Sequence, residues 1–196
     1  MRSKNQPRPW ARFASGRVLV WAQPFIDSIP QEEAMPTVPK AIVNKDPIEA
    51  VHEWFRRLER YCNAVDFASP RSIYSDDVVS FGSEEKIGSE LAVVRENMIW
   101  ASFAKLVDQW NHVWPSIRDF RIDMDSVRAG GNCLLAWGAA IWTSTGFDKT
   151  GAPFERPGRI SLVLGKRGPA WYAIHTHNSL VPGIPANTYA PTESSS

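Results

Sequence analysis

A chain of 196 residues, 43% of them hydrophobic, is long enough for one ordinary domain with extensions. A formal net charge of +1 gives no global electrostatic case for a nucleic-acid partner or an acidic surface. No apolar run approaches the roughly 18 residues that cross a bilayer, so neither nucleic acid nor membrane is expected as a partner. The chain carries nine Trp, a residue whose large apolar face and single N–H donor suit pockets and interfaces as well as cores. Its two cysteines, Cys62 and Cys133, are too far apart in sequence to suggest a metal motif. One bridge is a possible reading, but two reduced thiols are expected, which places the protein in the cytoplasm.

Residues 1–40 read as a flexible N-terminal extension. Arg2, Lys4, Arg8, Arg12 and Arg17 precede the first acid, Asp27, and six prolines between Pro7 and Pro39 break any periodicity. An Arg-rich, acid-poor leader, a plain tail, or a true start at Met35 all fit this composition. The apolar piece Val18 to Ala22 is too short for a secretory core.

The domain is expected over residues 41–182. Asp46 suits a helix cap, Pro47 the first helical position, and Glu49 the capping-box acid. Ile48, Val51, Trp54, Phe55, Leu58, Tyr61 and Cys62 follow at helical spacing as one apolar stripe. A short helix is predicted from Pro70 to Tyr74. Ser75-Asp76-Asp77 then turns the chain into a strand from Val78 to Gly82. Leu91, Val94, Met98, Phe103 and Leu106 predict a further helix starting near Ser89. From Trp114 onward the pattern changes to strands, at about 116–126, 132–145, 154–167 and 170–181, with turns at Gly130-Gly131 and Gly146 to Pro153. Residues 183–196, rich in Pro, Ser and Thr, read as a disordered C-terminal tail. Helices first and a meandering antiparallel sheet afterwards make an α+β domain.

Two segments carry a family resemblance. Asn63-Ala64-Val65-Asp66 with Ile73 to Val79, and above all the run Arg159 to Ser179 ending in His175-Thr176-His177-Asn178-Ser179, resemble the ketosteroid isomerase and nuclear transport factor 2-like superfamily. The terminal hairpin is similar to that of its SnoaL-like branch and to the association domain of calmodulin-dependent kinase II. The resemblance implies a cone-shaped fold, with N-terminal helices packed on a strongly curved, mostly antiparallel sheet around a pocket. It also implies a homodimer through the sheet.

The same resemblance tests for isomerase chemistry. Aligned without a gap, it puts Leu58 where the steroid isomerases carry the oxyanion-hole phenol and Gly82 where they carry the carboxylate base. Moving a proton at a carbon acid needs both groups, so steroid isomerisation is not expected. Glu84 or Glu85 reads either as a substitute acid or as a solvated loop carboxylate. Asp76 and Asp77 read as turn residues bonded to nearby backbone.

His175 and His177 are candidates for a general base pair, for metal ligands, or for satisfied sheet-face side chains at a subunit contact. No spacing supplies a third ligand from His52, His112 or a carboxylate, so no metal is expected. Alternation groups Trp171, His175 and His177 on one face of the last strand and Tyr172, Ile174, Thr176, Asn178 and Leu180 on the other. Which face is concave is not decided by the pattern. The kinase resemblance implies that Asn178 points into the pocket, and the planar fork of Arg159 suits an anion there. Trp100, Trp110, Trp114, Trp137 and Trp142 supply an aromatic wall, but Trp137 and Trp142 have opposite parity and face opposite ways on an unbulged strand. Gly138-Ala139-Ala140 between them leaves room for a ligand or for close packing.

The expected function is a SnoaL-like pocket protein for a small, largely hydrophobic molecule. Its ligand-binding residues are Arg159, His175, His177, Asn178, Trp142 and Trp137. A cofactor-independent isomerase, cyclase or dehydratase is the catalytic version, with no catalytic residue assigned and no cofactor expected. The rival is a non-catalytic oligomerisation or ligand-binding module.

Overall fold

The computed structural model describes residues 40–85, 94–185, 188 and 189. The N-terminal extension, the predicted helix start at Ser89 and Leu91, and the end of the C-terminal tail lie outside the described residues. The description below concerns the unit Val38–Ser196.

A two-residue strand β1 (Ile42–Val43) leads into helix α1 (Pro47–Ala64). Asp46 caps the helix, its carboxylate accepting from the Glu49 amide at 2.9 Å, with Pro47 just inside. The helix stops where Val65 adopts a left-handed conformation, φ 51°, and returns its N–H to the Cys62 carbonyl. Val51, Trp54, Phe55, Leu58, Tyr61 and Cys62 are buried as the stripe predicts. Ile48 is the exception at 51% exposure: it sits in the first turn, at the margin of the stripe.

A single turn of 3-10 helix (Ser69–Ser72) follows, and Tyr74 already opens strand β2 (Tyr74–Glu85). Asp76 and Asp77 are therefore strand residues, not a preceding turn. Each meets its own arginine, Asp76 accepting from Arg71 and Asp77 from Arg167, both at 2.9 Å.

The predicted helix through Val94 and Met98 is corrected. Residues Val94–Trp100 form strand β3, and helix α2 (Phe103–Val113) begins only after Ser102, whose hydroxyl accepts from the Lys105 amide. The edge of β2 decides this. Ser80, Phe81 and Gly82 pair antiparallel with Trp100, Ile99 and Met98, satisfying backbone groups that local spacing does not reveal. A further 3-10 turn (Trp114–Ser116) leads to four long strands: β4 (Arg118–Gly131), β5 (Leu135–Phe147), β6 (Pro153–Arg167) and β7 (Ala170–Leu180). Gly130, Gly131 and Gly146 belong to strands; the turns themselves fall at 132–134 and 148–152.

Among the described residues the seven strands form one mixed, curved sheet in the order β3-β2-β7-β6-β5-β4, with β1 beside the start of β7. Every pairing is antiparallel except β2 with β7. Both helices pack on the sheet's inner face, giving an α+β fold. Helix α1 also serves the edge strand β4. Asn63 and Phe120 exchange two hydrogen bonds, at 2.8 and 2.9 Å, and Glu59 accepts from the Ile122 amide at 2.7 Å. Gly138 takes close packing rather than a ligand: a Cβ there would stand 2.4 Å from Val51 of α1. Past residue 182, Thr188 donates to the Ser116 carbonyl and accepts from the Phe147 amide, at 2.9 and 2.8 Å. None of the helices is long and apolar enough to cross a membrane among the described residues.

Candidate functional site

Strand parity decides which side chains meet the helices. In β6, Gly158, Ile160, Leu162 and Leu164 are buried against them, while Arg159 is exposed on the outer face. In β5 the alternation is unbroken from Leu135 to Gly146, so Trp142 is buried inside and Trp137, 51% exposed, stands outside. In β7 a bulge interrupts the alternation. Val163 pairs with His175 but Leu164 with Ala173, so Ile174 is the extra residue. Trp171 and Ala173 face inward before it, and Thr176 and Asn178 face inward after it. His175 and His177 consequently share the outer face, where both rings meet Phe81 edge-on at 5.4 and 6.3 Å.

The inner face encloses a cavity of about 110 Å³ between α1, α2 and the sheet. Four tryptophans wall it: Trp100, Trp110, Trp114 and Trp142. Trp110 and Trp114 stack at 4.5 Å, and Trp142 leans on Phe120 at 5.5 Å. Trp142 has its place because residue 158 is glycine; a Cβ at Gly158 would lie 2.2 Å from the indole. Asn178 and Gln109 supply amides to the lining, and Leu58 and Gly82 both lie on it as well. Neither of the last two transfers a proton.

The charged group of this cavity is Arg156, on the inner face of β6 and only 5% exposed. Burial pulls its guanidinium pKa down to about 10, with Cys62 opposing the shift, so it remains cationic at neutral pH. Burial pushes the Cys62 thiol up, partly offset by Arg156, and pushes the Tyr74 phenol well above its usual range, with Cys62 adding to the rise. Both lining groups are thus neutral. Ser144 is the cross-strand neighbour of Arg156. Its hydroxyl and the nearby Trp142 indole N–H are buried without hydrogen-bond partners among the described residues. No carboxylate or imidazole lines the cavity among the described residues.

Of the residues singled out by sequence, Asn178 and Trp142 line the cavity together. Arg159 and His177 instead line a depression on the outer face, and His175 and Trp137 stand on that face too. Among the described residues no three of His, Cys, Asp and Glu gather as a metal-ligand set. Sequence reading overlooked Arg156, although the signal was present: it is in phase with Gly158, Ile160, Leu162 and Leu164, and Arg159 is out of phase with them.

The two thiols should separate chemically. Cys133 is exposed and Cys62 buried, so a thiol reagent at neutral pH is expected to label one cysteine per native chain and two after denaturation. Labelling of both in the native protein would contradict the buried position of Cys62.

No protein-family model matches the sequence, and neither does any curated protein. Solved structures do match in shape. A Salmonella enterica protein of the nuclear transport factor 2-like superfamily aligns over 72% of this chain and 96% of its own, with 13% identity and a TM-score of 0.54. The chain has the nuclear transport factor 2-like fold. Within that fold, the calmodulin-dependent kinase II hub of S. rosetta aligns over 71% of this chain and all of its own, with 14% identity and a TM-score of 0.54. A Xanthomonas campestris protein assigned to the kinase II association domains aligns over 76% of this chain and 99% of its own, with 19% identity and a TM-score of 0.53. At these identities the nuclear transport factor 2-like likeness concerns architecture, and chemistry must come from the site.

Proposed function

We propose that this protein binds a small, largely apolar molecule carrying one carboxylate or similar oxyanion in the inner cavity. The observation that carries the reading is Arg156, buried in a tryptophan-rich wall with the Trp142 indole N–H, which has no hydrogen-bond partner among the described residues. A planar guanidinium matches a carboxylate with two parallel hydrogen bonds. A buried polar atom left without a partner among the described residues points to a group that completes it. The volume, about 110 Å³, favours compact ligands of one small ring or less.

Binding is favoured over isomerase, cyclase or dehydratase chemistry because the described lining offers a cation, a neutral thiol and a neutral phenol, with no base poised near neutral pH. The test is a tryptophan-fluorescence titration with cyclopentanecarboxylate and its neutral counterpart cyclopentylmethanol. The carboxylate is expected to bind saturably and at least about tenfold more tightly, the difference one charge-assisted contact supplies. Equal binding of the two would remove Arg156 from the account.

A second reading, self-association through the outer sheet face, is favoured by a specific observation. Leu135, Trp137 and Ile141 form an exposed apolar stripe on β5, at 47, 51 and 52% exposure. A second copy of the chain is the occupant we propose, giving a homodimer. Tryptophan is the residue type most often dominant at such contacts, so Trp137→Ser is expected to weaken dimerisation by at least about tenfold in sedimentation. Wild-type protein that remains monomeric at high concentration would end this reading.

A further inference from the structure

The outer face holds charged and titratable groups, Arg128, Arg159 and His177, that do not line the inner cavity. Successive rows of the sheet place Arg128 beside Ala139, Ala139 beside Ser161, and Ser161 beside His177. In the next row Ile141 pairs with Arg159 and Arg159 with Ser179. Ala139 and Ser161, having short side chains, leave a hollow between taller neighbours. The result is a depression of about 610 Å³ whose charged and titratable lining, among the described residues, is Arg128, Arg159 and His177.

Among the described residues its two arginines are held in place without an acidic partner. Arg128 Nη1 donates to the carbonyls of Asp125 and Val127, at 3.1 and 3.0 Å, which orients the guanidinium; Nε and Nη2 have no hydrogen bond among the described residues. Arg159 Nε donates to the Ser179 hydroxyl at 3.3 Å. Among the described residues the ion pairs engage Lys45, Arg57, Arg71 and Arg167, and neither Arg128 nor Arg159 has one. Asp123, in the row of Ile141 and Arg159, and Asp125 are not among the lining residues, and the Asp123 carboxylate accepts from the Asp125 and Ser126 amides.

We propose that this depression is a binding site for a phosphomonoester of a small molecule. Two guanidinium forks, an imidazole and the hydroxyls of Ser161 and Ser179 border a hollow roomy enough for a phosphorylated small molecule, and these donor types suit phosphate oxygens. Leu180 and Pro182, which also line the depression, offer the organic part an apolar rest. Its arginines lie on the opposite face of the sheet from Arg156, while Gly82, Ser179 and Leu180 border both hollows.

The probes are phenyl phosphate, inorganic phosphate and phenol, titrated calorimetrically against the full chain. Phenyl phosphate is expected to bind saturably and more tightly than inorganic phosphate, and phenol not at all. Arg128→Gln and Arg159→Gln should each weaken phenyl phosphate by about tenfold or more. Lys149→Gln, which removes an equal charge from an exposed turn, should leave it unchanged. Retained binding in Trp137→Ser protein supports a site built by one chain. Loss in that variant assigns the anion to a subunit contact and overturns the proposal. So does an equal loss with Lys149→Gln, or an absence of saturable binding by the wild type. Carboxylate binding in the cavity, read by fluorescence, is expected to survive both arginine variants, so the two sites succeed or fail separately.

Discussion

Replacing Trp54 with alanine is expected to lower the unfolding free energy by about 3–5 kcal/mol, the usual loss for a fully buried large aromatic. Trp54 has no solvent exposure. Its ring meets Phe55 edge-on at 5.5 Å and Tyr74 at 5.3 Å, so one side chain joins helix α1 to the first residue of β2. Its indole N–H donates to the Ile73 carbonyl at 3.1 Å, a contact that fixes where the 3-10 turn ends and the strand begins. Alanine removes the packing, opens a cavity and takes away one of the two donors to that carbonyl, which also accepts from the Ala173 amide at 2.8 Å. Trp54→Phe keeps most of the apolar contact and loses mainly the hydrogen bond, so its cost should be about 1–2 kcal/mol. Domains of this kind have about 5–15 kcal/mol in total, so the alanine variant should be near its threshold at room temperature. Chemical denaturation of the two variants measures the difference directly. A loss below about 1 kcal/mol in Trp54→Ala would mean that α1 does not dock on the sheet as described.

The second large effect is on binding. Arg156→Met keeps a long, flexible, apolar side chain in the wall and removes the cation, so the fold is expected to persist while carboxylate affinity falls. A charge-assisted hydrogen bond contributes about 1.5–3 kcal/mol, which corresponds to a loss of roughly ten- to a hundredfold. The pH dependence has a definite sign. Burial lowers the guanidinium pKa to about 10, and the cation is the binding form. Affinity for cyclopentanecarboxylate should therefore be flat from pH 6 to 9, where ligand and arginine are both charged, and should decline as pH rises through about 10. An Arg156→Lys variant separates geometry from charge: lysine restores the positive charge but not the planar fork, so only partial recovery is expected.

The sequence made the local features legible. Asp46-Pro47 and the stripe from Val51 to Cys62 are short-range signals, and α1 is built on them. The opposite parity of Trp137 and Trp142 was also readable, because β5 alternates without interruption and its two tryptophans separate as counted. Strand β3 was not legible. Val94 and Met98, four apart, fit a helical stripe, and only the distant edge of β2 selects extended backbone there. Nor was the cavity side of β7. Counting by twos from Trp171 carries His175 and His177 to its own face, but the bulge at Ile174 resets the count and turns both histidines outward. Thr176 and Asn178 take the inner positions instead. Arg156 shows the opposite case. Counting back from Ile160, Leu162 and Leu164 places it inside, yet an arginine that stays charged in an apolar wall runs against the usual exposure of that residue type.

The central claim, that the inner cavity binds an oxyanion through Arg156, is most directly tested by calorimetric titration of cyclopentanecarboxylate into wild type, Arg156→Met and Arg159→Gln. The account predicts saturable binding by the wild type, a loss of at least about tenfold in Arg156→Met, and unchanged affinity in Arg159→Gln. Binding that survives Arg156→Met and is lost in Arg159→Gln would contradict it, placing the ligand on the outer face of the sheet.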